Sequence, residues 1–391
     1  MGFGLVADEG SVFIKKEVTE GVYVAEAAGA DAIEVLSDGL EFTPTKELLE
    51  RNNRTSTVEA VPSRVGQKSM AAAIPTEFKA GSTEGAAPET SDLWEALLGG
   101  KDVLTQVTSL TGHTTQKIYV TDNSQYKIGH IVKINQSAIA GEDHVSPISE
   151  VGNDLGVEFI KLLVPYSVAF SNAVVIAAST NYFHQSGAPT LSLTNYLGGE
   201  IREKAIGMRA VSMEIANFST GQLPTSTFQL EGLDFSRAVG TPLFAPAYDA
   251  SLPPVVLCSK VYKDSAEITV NAVTLSLTNT LGFLTSTASC SGKISSRITD
   301  FAANFTINPY MENDDVDIFN LFANNTGFSL FGSSNNKTDT VGEKKECIAF
   351  YMPNCRIPEI STGVEDGILT DAISGQAYKT LGNDTVFIAF I

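Results

Sequence analysis

Basic charge is what this chain has least of. Against 45 aspartates and glutamates stand 26 lysines and arginines in 391 residues, a formal charge of −19. That balance excludes a surface built to grip phosphate, which needs the opposite excess. It leaves room for a surface that lets a polyanion pass without sticking. No run approaches the roughly 20 apolar residues of a membrane helix, and the opening MGFGLVADEG lacks a basic region followed by a long apolar stretch. Cytosolic synthesis and no membrane partner are therefore expected. Cysteine is scarce: Cys258, Cys290, Cys347 and Cys355 form no CxxC pair, and buried, reduced thiols are the expected state.

Catalytic signatures are missing too. His113, His130, His144 and His184 make no HxxxH or His-Cys pair, and there is no GxSxG, GxxxxGK or strand-borne GxGxxG. The run Asp314-Asp315-Val316-Asp317 resembles half a calcium loop but lacks its glycine and closing glutamate. No catalytic residue, cofactor or metal site is expected, and the chain is read as no enzyme.

What is present is strand. A composition 43% apolar and 18% charged belongs to a folded chain, and the length suits two domains. In Val273–Thr278, VTLSLT, the residues Val273, Leu275 and Leu277 alternate with Thr274, Ser276 and Thr278. In Phe301–Asn308, FAANFTIN, the residues Phe301, Ala303, Phe305 and Ile307 alternate with Asn304, Thr306 and Asn308, and Pro309 follows. Both patterns predict half-buried strands. Two short helices are expected: Ser91–Leu98, capped by Ser or Asp and stopped at Gly99-Gly100, and Asp314–Ala323, with Ile318, Phe319 and Phe322 inward.

The two helices match in residue class, DLWEAL against DIFNLF, and so do their surroundings. AIEVLSDGLEF (Ala32–Phe42) parallels AVTLSLTNTLGF (Ala272–Phe283), and MAAAIPTEF (Met70–Phe78) parallels AANFTINPY (Ala302–Tyr310). GMRAVSMEI and GQLPTSTFQLEG (Gly207–Ile215, Gly221–Gly232) parallel PNCRIPEI and DGILTDAISGQA (Pro353–Ile360, Asp366–Ala377). Strand-turn-strand-helix-hairpin twice over suggests an internal duplication. Between helix and closing hairpin the first copy carries an extra segment, about 115–184, with strand-like runs at His130–Ile134, Val157–Val164 and Ala173–Ala178 and a turn at Gly152-Asn153-Asp154. The expected fold class is mainly β: two related β-sandwich domains, each with a flanking α-helix, at 1–245 and 250–391, plus an inserted small β-domain. A flexible connection, Gly240–Pro254, is expected between them.

Leu36–Gly100, Arg202–Ile215 with its following hairpin, and Leu277–Tyr310 resemble the tail tube proteins of long-tailed, siphovirus-type phages, a family also found in gene transfer agents. The resemblance implies a β-sandwich with one flanking helix whose inner sheet joins those of its neighbours into a barrel around a lumen. A duplicated chain would then form a homotrimer with pseudo-hexameric symmetry, stacked into the virion's DNA ejection conduit. The implied partners are the chain itself, the tape measure, distal tail and terminator proteins, and DNA in transit without specific binding. By alternation the lumen-facing candidates are Glu34, Asp38, Glu77, Thr274, Ser276, Asn304, Thr306 and Asn308, none of them basic. The excursions 47–64 and 286–297 would stack rings, through Arg51, Asn52, Asn53, Arg54, Lys293 and Arg297. A competing expectation is a virion surface adhesin or decoration protein binding a receptor or glycan through the insertion, where Tyr119, Tyr126 and Tyr166 are the candidate aromatics.

Overall fold

The structure, a computed structural model, describes residues 9–51, 62–135, 144–166, 173–257, 259–311, 316–334, 347–365 and 367–391. Strands take 56% of the chain and helices 5%, so the fold is mainly β.

Alternation builds the main sheet. Val273, Leu275 and Leu277 are buried along Val270–Thr285, as are Ala303, Phe305 and Ile307 along Lys293–Pro309, with polar residues between them. These strands form a hairpin with Leu275 opposite Phe305. Lys293–Pro309 pairs next with Ile368–Ala377, which pairs with the distal half of Ile348–Glu365. An earlier set has the same order: Glu41–Leu49, Arg64–Glu77, Thr225–Gly232 and Ile201–Ser219, each antiparallel to the next. The last strand of the first set pairs with the first strand of the second, Ser212 opposite Thr278 and Glu214 opposite Ser276. One continuous sheet of eight strands results.

A second layer covers its apolar face. It contains Gly99–Leu104, Ser179–His184, Phe387–Phe390, the proximal half of Ile348–Glu365, and Phe328–Ser333. Helix α1 (Ser91–Leu98) and helix α2 (Val316–Ala323) belong to the two sets in turn. The core they share includes Trp94, whose indole meets Phe228 edge-on at 5.2 Å and Phe390 at 5.7 Å. Gly99 ends α1 with φ +85°, and Asn279 Nδ2 donates to the carbonyls of Leu97 (2.9 Å) and Ala210 (3.0 Å), satisfying a terminal helix carbonyl from the other set.

Several expectations need correction. The cap of α1 is Thr90, and its hydroxyl accepts from Trp94 Nε1 instead of from the helix backbone. Phe319 is exposed, because Ile318 takes the inward position. No strand spans 32–42: only Ala32–Ile33 pairs, with Ser11–Lys16, after which Asp38 and Gly39 (φ +87°) turn the chain into Glu41–Leu49. Cys347 and Cys355 are buried, but Cys290 is exposed on a hairpin connection, and Cys258 lies outside the described residues. The segment 240–254 is held down: Ala247 N–H donates to Gly29 O (3.0 Å), Asp249 takes Ser82 N–H (3.1 Å), and Ser251 Oγ donates to Ala80 O (2.7 Å).

The extra segment forms its own six-stranded sheet between Val107 and Ile176, while Ser179–His184 belongs to the second layer. Its turn is Leu155-Gly156, both at positive φ, three residues past the expected one. Gly152 is needed elsewhere: a Cβ there would lie 2.7 Å from the Phe159 ring. Of Ala173–Ala178 only Val175–Ile176 is strand. This sheet does not rest on the first set alone. Ile131 and Val145 pack with Phe331, Tyr351 and Phe387 of the second. At its base Asp102 accepts from Lys127 (2.5 Å) and pairs with His130 (3.0 Å), and chiefly the His130 bond holds the Asp102 carboxyl down at about 2.

Candidate assembly surface

The face of the eight-stranded sheet turned away from the core is polar because each strand alternates. Cross-strand registers align its residues into rows. One row runs Pro75, Thr227, Glu214, Ser276, Asn304, Gln376; the next runs Glu41, Ala73, Gln229, Ser212, Thr278, Ala302. Carried to the outermost strand, the first row ends on Arg356, opposite Gln376, whose guanidinium donates to Asn325 O; the second row contains neither lysine nor arginine. Glutamates recur, as Glu41 and Glu214 here, Glu77 opposite Thr225, and Glu359 opposite Ser374.

Thr274, Ser276, Asn304 and Thr306 lie on this outward face, in register across the second hairpin; Asn308 falls at a register shift without a cross-strand partner, and its buried Oδ1 finds no hydrogen-bond partner. Glu77 lies on the same face of the first hairpin. Glu34 and Asp38 do not: both sit in the turn region before Glu41, and Glu34 is tied at 2.5 Å to Lys79. The residues missed were Glu214, Thr227, Gln229 and Gln376. For Thr227 and Gln229, alternation in TSTFQLEG was the available signal.

The sheet's two outermost strands are unequal to the rest. Glu41–Leu49 pairs only with Arg64–Glu77, and the distal half of Ile348–Glu365 only with Ile368–Ala377, among the described residues. Unpaired edge groups invite another chain. Pro44, Lys46 and Glu47 on the first edge are residues that blunt indiscriminate pairing.

Apolar side chains are exposed at both ends of the strands. Leu48, Leu49 and Val65 flank the connection 50–63, and Leu284 and Ile294 flank 286–292 at the same end; Val364, Ile368 and Leu369 surround the opposite tip. Of the stacking candidates, Arg51 is exposed, and Asn52, Asn53 and Arg54 lie outside the described residues. Lys293 and Arg297 are on a strand, because the hairpin closes at 286–292. Lys293 Nζ lies 3.8 Å over Phe283 and 3.6 Å from Glu231, and Arg297 pairs with Glu20 at 2.7 Å.

The histidines do not converge. His113 bonds Ser109 Oγ, His130 bonds Asp102, His144 bonds Val164 O, and His184 stacks on Phe301 at 4.2 Å. No cluster of three or more potential metal ligands occurs among the described residues. Tyr126 and Tyr166 are buried and Tyr119 is half-buried, which offers a sugar no exposed aromatic from these three.

Compared with known proteins, residues 7–372 match the family model described as phage tail tube protein. No curated protein matches the chain.

Proposed function

Since the chain belongs to the phage tail tube protein family, a family of virion structural components, we propose that it closes threefold rings of pseudo-sixfold symmetry whose stacks conduct DNA into the host. The rings would form in the host cytoplasm and join the tape measure, distal tail and terminator proteins. One observation carries the reading: two strand sets of identical pairing order are joined by a seam, and that same seam is left open at both outer edges. An internal duplication accounts for the repetition.

Closing the ring reuses the internal seam between chains. Both sets carry a bulge in the last strand, at Val211 and at Ile357-Pro358. Matching the bulges sets Ser212 on Glu359, Gln229 on Ser374, Ala73 on Thr306 and Glu41 on Thr274. Buried Met70, Ala72 and Ile74 then fall on buried Ala303, Phe305 and Ile307, one residue from the alignment suggested by sequence. Ser212 faces Thr278 inside the chain, so Glu359 faces Thr45 between chains. Three chains close the barrel, removing every edge.

The polar rows then face the bore. Carboxylates, hydroxyls and amides dominate them, with Arg356 the basic residue at the end of one row and bonded to Asn325 O, so the surface repels the DNA backbone more than it grips it, which keeps friction low. Stacking is head to tail, because the apolar residues at one end differ from those at the other, and such contacts propagate without limit. Electron microscopy of the purified chain, with a tail-initiating partner if needed, is expected to show stacked rings or tubes. Monomers alone at high concentration would refute the reading.

A further inference from the structure

Inside the chain, the tip of the second hairpin rests on the first set. Ser291 O accepts from Lys68 N–H at 3.0 Å, Lys293 Nζ lies 3.6 Å from the Glu231 carboxylate, and Gly292 lies so close to Gln67 that an added Cβ would come within 2.6 Å of Cγ. The tip is braced for this: Ser289 Oγ and Ser291 Oγ both donate to Lys293 O, at 2.7 and 3.0 Å. Its seat is the edge of Arg64–Glu77 beyond the point where Thr225–Gly232 stops pairing.

The equivalence of the two sets locates the matching seat on the second. Gln67, Lys68, Glu231 and Asp234 correspond to Asp300, Phe301, Gln376 and Lys379. These four line a single open cleft of about 1010 Å³, with His184 and Arg297 on its walls. The cleft has lost what the first seat has. Phe301 N–H, the counterpart of the Lys68 donor, is capped by its own neighbour's carboxylate, Asp300 Oδ1 at 2.9 Å, and not by a carbonyl from another hairpin. The charge is changed as well. Where the first seat offers Glu231 to a lysine, the cleft offers Gln376 and Lys379, and Lys379 has no ion pair among the described residues.

We propose that this cleft is the lateral docking seat for the end of the first hairpin of a second copy of the chain, the connection flanked by Leu49 and Arg64. The occupant follows from the equivalence of the two sets, which puts the end of the first hairpin of the next copy where the tip of the second hairpin sits inside the chain. The first hairpin thus grips its neighbour within the ring, instead of serving only to stack one ring on the next. The proposal rests on the ring reading above, and the test separates the two.

Thr299→Trp places an indole at the mouth of the cleft from an exposed position. The expected result is an unchanged melt for the monomer and a rise of about tenfold or more in the concentration needed for assembly. In a background of Cys258→Ser and Cys290→Ser, a Gln376→Cys chain mixed with an Arg64→Cys chain is expected to give a heterodimer with a bifunctional maleimide under assembly conditions. If rings form with neither the Thr299→Trp penalty nor the cross-link, the docking seat is refuted and the ring stands. If the wild-type chain never leaves the monomer, both fall. Should Thr299→Trp fail to fold, the cross-link alone decides.

Discussion

The two hairpins of the main sheet have the same partners in the same order, yet they live in different surroundings. Val270–Thr285 lies between two neighbours and buries Val273, Leu275, Leu277 and Asn279; Glu41–Leu49 has one neighbour and buries nothing. The sequence patterns follow that difference. A strand with partners on both sides can alternate cleanly, whereas the edge strand carries Pro44, Lys46 and Glu47, residues that discourage indiscriminate pairing. On the proposed ring, the contrast marks which surface folding completes and which assembly would complete.

The sharpest way to break the comparison is the same substitution at equivalent positions. Leu277→Asp buries a charge in the internal seam and is expected to cost ~4 kcal/mol or more, seen as loss of a cooperative urea transition. Pro44→Asp, its counterpart on the free edge, should leave monomer stability within ~0.5 kcal/mol in the same titration while abolishing assembly in sedimentation. Equal destabilisation by both would erase the distinction.

A smaller effect probes the joint between the sets. Asn279→Ala removes both hydrogen bonds that tie the end of α1 and Ala210 to the second hairpin, and a loss of ~1–3 kcal/mol is expected by chemical denaturation. Acid probes the base of the inserted sheet. Asp102 has a folded value of about 2 against 3.8 for the ordinary group, so its contribution is complete above the ordinary value and disappears as pH falls through about 2. Asp102→Asn should therefore flatten the acid limb of thermal melts between pH 4 and 2, by a few degrees at most given its partial exposure (~2–4 °C). Smallest for stability is Gln229→Lys with Thr278→Lys: the melt should move by less than ~0.5 kcal/mol, while assembled tubes gain salt-sensitive DNA retention, read by filter binding.

The sequence exposed most of the second set and less of the first. VTLSLT and FAANFTIN were legible because a buried face and a polar face leave a period of two. Glu214 was not, since Ile201–Ser219 changes sheets near Gly207 (φ +62°) and bulges at Val211, so its period slips midway. Glu34 and Asp38 were misplaced for a related reason: a chance alternation ran across a turn at Gly39 that breaks the strand. The pairing of the sets themselves depends on long-range register, which no local pattern encodes.

The most direct test of the central claim is a cysteine pair, Thr45→Cys with Glu359→Cys in a background of Cys258→Ser and Cys290→Ser, oxidised before and after assembly. Reuse of the internal seam predicts disulfide-linked oligomers that appear on assembly, up to a closed trimer, and none in the monomer. Assembled tubes in which these two positions never cross-link would contradict it.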